Sequence, residues 1–398
     1  MRKTLVLSAA VTALLLPNCS TSQKVPLPKL DRALKSELVT WLDANALPPE
    51  EYVISKFRNH DIVFLGENHR IRHDPVLVQN LIPLLYRAGV HNLGIEFATA
   101  ASQREIDSLL TGPVYDPGLA GKIFWDAWPW WGYQEYIDIL RAAWRLNSTL
   151  PGDSPRFRVV GLNARMYWRH MWSQEDRNDP EIRKMIFPDG PSDQVMAETI
   201  RREILAHGEK ALVYCGHNHA YTRYQQPNYD VEQGVLKGLT SDRTGNLIYR
   251  EIGDRAFLII LHSPWPSATG YDDPEVYPAD GVIDAVFAGL PPEKRRAGFD
   301  VINSPFGRLP AATSYWSHAT DDFRLDMYCD GWIYQKPLSQ YEGVTVVPGW
   351  FNEGNRLQAI EQLANPDPRV KNRDRTVESL TEALASDTDL TRRFARFH

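Results

Sequence analysis

The segment Ile62–Asp74, IVFLGENHRIRHD, leads four apolar residues into a glycine and then places a glutamate, an asparagine and two histidines within eight positions. A strand that exits into Glu67 and His69 buries its backbone and presents proton-transfer or metal-binding groups at its end. Other apolar runs carry similar cargo: Glu96 in LGIEF, Asn163 at the end of FRVVGLN, His217, His219 and Tyr221 in GHNHAY after ALVYCG, and His262 at the end of AFLIILH. Hydrolysis would use Glu67 or His69 to take a proton from water, with a histidine opposite or a metal to stabilise the oxyanion. A divalent metal on His69, Glu67 and His219 would instead lower the pKa of its bound water. His217 and His219 share a face if the strand runs on through them. His69 and His73 have the i, i+4 spacing of a zinc helix, but Arg70 stands where that motif needs glutamate and the helix is expected to start only at Asp74, so we reject that reading.

Those residues need a scaffold that brings strand ends together. Buried strands are expected at 61–66, 93–97, 157–163, 211–216 and 256–262. Between them helices are expected from an Asp74-Pro75 cap to Arg87, after a Ser102/Glu105 capping box, over 133–147 and over 192–207. Such alternation predicts an α/β fold, a largely parallel sheet with helices on both faces, whose ligands sit beyond the carboxyl ends of the strands. An amphipathic helix is expected within 26–47. The division expected is a core over 51–270, preceded by a linker and helix (19–50) and followed by an irregular and helical extension over 271–398 packed on it. The aromatic stretch IFWDAWPWWGYQEY (123–136) reads as a core and lid segment, or as a wall for a flat or sugar-like ligand.

Composition bounds the class. The chain has 398 residues and a net charge of −6, so nothing basic enough to track nucleic acid is present. Arg2 and Lys3 precede TLVLSAAVTALLL, the pattern of a signal peptide over 1–18. The following Leu16-Pro17-Asn18-Cys19 resembles a bacterial lipobox, which would make Cys19 a lipidated first residue and place the protein in the cell envelope, periplasm-facing and membrane-anchored. Cys215 and Cys329 would then be the remaining pair, too few for a disulfide framework.

The pieces FLGENH, LGIEFA, DQVMAETI (193–200) and KALVYCGHNHAY resemble the superfamily that joins erythromycin esterases, haem-binding ChaN-like lipoproteins and Tiki-type proteases. The resemblance spans roughly 55–225. It implies a rim carrying Glu67, His69, Glu96 and His217 or His219. Esterase-type members place an arginine before the aspartate of DxxMA, where this chain has Ser192. The expectation is a Glu/His hydrolase, metal-assisted or not, acting on a small molecule or peptide. The ChaN-like alternative is haem capture, with Tyr221 or a histidine as axial ligand against the aromatic segment.

Overall fold

The computed structural model describes residues 24–173, 175–230, 233–270, 274–363 and 374–398; the segment expected to be a signal peptide, with Cys19, lies outside them. Nine strands are found among the described residues: β1 Ile62–Glu67, β2 Asn92–Thr99, β3 Arg158–Asn163, β4 Ala211–Gly216, β5 Gln226–Asp230, β6 Val235–Thr240, β7 Ala256–Leu261, β8 Ala297–Asp300 and β9 Gly331–Tyr334. Seven form one sheet in the order β3-β2-β4-β1-β7-β9-β8, parallel except for β8 against β9. β5 and β6 make a separate antiparallel hairpin.

The two-residue period of each strand explains why both faces are covered. Val63 and Leu65 of β1, Phe97 of β2 and Tyr214 of β4 join one apolar cluster with the helices His73–Arg87, Gln103–Thr111, Pro117–Ala127 and Gln134–Thr149. Ile62, Phe64, Val213 and Cys215 point the other way, against Arg32–Asn45, Ser192–Glu203, Thr244–Ile252 and Val282–Ala288. A fully buried side chain of this kind contributes roughly 1.5–3 kcal/mol, so neither face can stand bare. Trp130, Trp131, Tyr133 and Tyr136 are buried in the first cluster, which makes the aromatic stretch core rather than an open wall. Among the described residues no helix is long and apolar enough to cross a membrane.

Several local expectations are corrected. The helix after β1 begins at His73, and Asp74 does not cap it: the carboxylate is buried and accepts from Gln335 Nε2 at 2.9 Å. Ser102 makes no cap bond because its hydroxyl is paired with Thr99 Oγ1 at 2.9 Å. β8 and β9, both from beyond residue 270, extend the main sheet. Cys215 and Cys329 are free and buried.

Candidate active site

Register decides which groups meet. β1 lies between β4 and β7, with Glu67 opposite Gly216, so the end of β1 meets the turn that carries His217 and His219. β2 flanks β4 with Ile95 opposite Tyr214, which brings Glu96 to the same rim. Gly66 permits this approach, since a Cβ there would stand 3.0 Å from His217 Cα.

Glu67 is 1% exposed and takes three donors: Tyr136 hydroxyl at 2.6 Å, His69 Nδ1 at 2.7 Å and the Tyr214 hydroxyl. Burial, reinforced by the Glu67 charge, pushes both phenols well above their ordinary range, so they remain donors. His69 stands edge-on to Trp131 and Phe97, and its Nε2 lies 3.9 Å from Glu96 Oε1. Its side chain is 31% exposed, toward a cleft of about 260 Å³ lined also by Asn68, Gly216, His217 and His219.

Glu96 accepts the Gly216 N–H at 2.7 Å and faces His219 Nε2 at 3.4 Å. Burial pushes its carboxyl up, but His219, His69 and that N–H outweigh burial and hold it down at about 2. His219 is pressed the opposite way: burial disfavours its charge, yet Glu96 and Asp193 raise it to about 10. Asp193 is the residue that sequence reasoning missed. Its Oδ1 accepts from His219 Nδ1 at 2.7 Å, Thr244 N–H at 2.8 Å and Thr244 hydroxyl at 2.9 Å, while Arg243 donates to Oδ2 at 3.2 Å. DQVMAETI was the signal for Asp193, while nothing local in sequence points to Arg243, which pairs with it across the fold.

The remaining expectations divide. The strand stops at Gly216 and a helical turn, His217–Ala220, follows, so His217 and His219 diverge. His217 Nδ1 donates to the Glu67 carbonyl at 3.1 Å, its ring meets Trp316 edge-on, and burial lowers its pKa to about 3. Tyr221 is fully buried behind it, sharing hydrogen bonds with Asn218 and Tyr328. Asn163 turns back onto the Ala164 N–H at 2.9 Å and is not among the cleft residues. His73 packs edge-on to Tyr341, away from the cleft, where burial lowers it to about 3. His262 pairs with Asp284 at 3.0 Å in the interior.

The donor set expected for a divalent metal does not converge. Glu67 already holds three donors, and both nitrogens of a protonated His219 face carboxylates. Among the described residues no group of three or more histidine, cysteine, aspartate or glutamate side chains is placed to hold a metal.

Residues 53–175, the stretch that contains Glu67, His69 and Glu96, match the family described as haem-binding uptake, Tiki superfamily, ChaN. Over that segment, about a third of the chain, the protein is similar to the Tiki superfamily. The Tiki-like match stops short of Asp193, His217 and His219, which complete the site. No curated protein matches the chain. Among solved structures it is similar to a succinoglycan biosynthesis protein, 11% identical over 80% of this chain and 100% of that one, with a TM-score of 0.51. Looser likenesses are an erythromycin esterase mutant, EreC, in its open conformation (11% identity, 71% and 92% coverage, TM-score 0.45) and ChaN of Campylobacter jejuni, with cofacial haem (13%, 54% and 86%, 0.34). At such identities the first of these speaks to fold alone.

Proposed function

We propose that the chain is a hydrolase of esters or amides in which His69 is the general base. The observation that carries this is the 2.7 Å contact between His69 Nδ1 and Glu67, which commits Nδ1–H to the carboxylate and leaves Nε2 for the cleft. Nε2 takes a proton from water as the water oxygen bonds to the substrate carbonyl carbon. Glu67, its carboxylate already engaged by two phenols and His69, supports the imidazolium that results. His219, protonated and only loosely held by Glu96 at 3.4 Å, offers its Nε2–H to the oxyanion. When the carbonyl re-forms, His69 returns the proton to the departing alkoxide or amine. His217, with a pKa near 3, is too weakly basic to replace His69 near neutrality. Purified protein assayed on a panel of esters and peptides, with and without chelator, tests the reading: turnover abolished by His69→Ala and indifferent to chelator is expected. Chelator-sensitive turnover would favour a metal-bound water instead.

The family description favours haem capture as the second reading. Against it, a cleft of about 260 Å³ falls below the roughly 300–1,000 Å³ that encloses drug-sized ligands, and Tyr221 is sealed from it. A Soret band that appears on adding haemin and is lost in His219→Ala would replace the hydrolase with the carrier. In either reading we place the protein at the bacterial cell envelope, facing the periplasm and anchored through an acylated Cys19.

A further inference from the structure

Beside His69 the cleft is lined by Asn68, Asn218, Glu275 and Arg393, none of which has been given a role so far. Arg393 ends the helical turn Leu390–Arg393, and Leu390, Phe394 and Phe397 hold this segment in a small apolar cluster with Ile71, Leu338 and Tyr341. Its Nη2 donates to Asn68 Oδ1 at 2.9 Å and to Glu275 Oε1 at 3.3 Å. Asn218, on the same cleft, accepts at Oδ1 from the Tyr221 hydroxyl at 3.3 Å.

Each of these contacts uses an acceptor and leaves donors. Asn68 and Asn218 use their oxygens and, among the described residues, make no hydrogen bond through Nδ2, and the Arg393 guanidinium, 35% exposed, keeps N–H groups to spare. The carboxylates nearby are already matched: Glu67 by two phenols and His69, Glu96 by Gly216 N–H and His219, Asp193 by His219, Thr244 and Arg243. Only Glu275 competes for Arg393, and it competes poorly. Burial pushes its carboxyl above the ordinary range despite Arg393, its Oε2 is buried with no hydrogen-bond partner, and the contact is long.

A wall rich in donors, with one weakly engaged guanidinium, suits a ligand group rich in acceptors. We propose that Arg393, with the amides of Asn68 and Asn218, is an oxyanion-recognition subsite that takes a carboxylate or phosphate group on the ligand and sets specificity for anionic substrates. As a statement about substrate this rests on the hydrolase reading; as a statement about binding it does not. The incoming oxyanion shares or displaces the place of Glu275, so Arg393→Gln and Glu275→Gln act with opposite signs, which a merely structural role for the pair does not produce.

The test compares mono-p-nitrophenyl succinate, which carries a free carboxylate, with neutral p-nitrophenyl acetate. The ratio of their kcat/KM values is expected to fall about tenfold or more in Arg393→Gln, the loss of a charge-assisted contact, and to rise in Glu275→Gln. Arg393→Lys, which keeps the charge, recovers part of the ratio, and melting curves establish that each variant is folded. Ratios unmoved by Arg393→Gln and Glu275→Gln overturn the subsite while leaving the hydrolase standing. If neither ester is turned over, the hydrolase reading falls, and calorimetric titration with succinate and with inorganic phosphate decides the subsite alone. Binding weakened about tenfold in Arg393→Gln and strengthened in Glu275→Gln upholds it, and the preferred titrant tells carboxylate from phosphate. No binding, or binding indifferent to Arg393, overturns it.

Discussion

Replacing Gly216 by alanine asks whether the position of His69 matters separately from its presence. The backbone at Gly216 has φ −55° and ψ 139°, which alanine adopts freely, so the substitution carries no conformational penalty of its own. It even removes unfolded-state freedom, worth about 0.4–1 kcal/mol in favour of the fold. The new Cβ, however, would stand 2.8 Å from His69 Cε1 and 2.9 Å from Nε2, with Glu96 Oε2 at 3.4 Å. Carbon contacts settle near ~3.5–4.0 Å, so the ring must retreat by about 0.7–1 Å. It is pinned on one side by Glu67 at 2.7 Å and flanked by Trp131 and Phe97. A retreat of that size stretches the Glu67 contact toward ~3.5 Å, beyond a useful hydrogen bond. Overpacking costs about 1–3 kcal/mol, partly offset by the entropy gain, so melting should fall only by a few degrees. Turnover of a verified substrate should fall about 100-fold, the usual consequence of a ~1 Å misplacement of a catalytic group. Melting curves and kcat/KM measured on the same preparation check both numbers. Activity within about threefold of wild type, in a folded variant, would refute the argument that the Glu67–His69 geometry carries the chemistry.

Glu67→Gln should keep the fold while lowering turnover at least ~100-fold, and His219→Ala should do likewise; the double variant should lose little more than either single one, because both act on one reacting centre. Stability should vary with pH in two limbs, read by thermal melts. His219 is raised above its unfolded value, so its contribution is whole below about 6.5 and is lost as pH rises through about 10, whereas Glu96 is depressed, so its contribution is whole above about 4.5 and is lost as pH falls through about 2. Glu96→Gln should shrink both limbs, leaving in the acid one the contribution of Asp193, which His219, Thr244 and Arg243 also hold below its ordinary range. Gly66→Val should lower the melting temperature by several degrees, since its Cβ meets backbone at His217 that cannot step aside. Cys19→Ser should move the protein from the membrane fraction to the soluble periplasm, which fractionation and immunoblotting would show.

The parallel sheet was legible because β1, β2, β3, β4 and β7 are nearly continuous apolar runs, the signature of strands buried on both faces, and each stands within a residue or two of its expected place. Glu67, His69 and Glu96 were legible for the same reason, as polar groups placed where such runs end. His217 and His219 were found, but their relation was not, because Gly216 ends the strand and a helical turn sends the rings to different partners. His73 misled because its neighbour Asp74 reads as a cap, while Gln335, 261 positions away, holds that carboxylate inside. Arg243 and Arg393 could not be read at all. Each lies in an ordinary polar stretch, and its role comes from a contact made across the fold.

Asn68 and Arg393 are separated by 325 positions, nearly the full described length of the chain. Contacts so distant in sequence are among the last that a folding chain can form, since the closure entropy is met before they return anything. The wall with Arg393 is therefore the final part of the cleft to be built. A chain in which β1, β2 and β4 have paired can bring His69 to Glu67 before the segment that carries Arg393 has docked on Ile71, Leu338 and Tyr341. Removal of residues 389–398 would take away one wall of the cleft while leaving the strand register that brings His69 to Glu67.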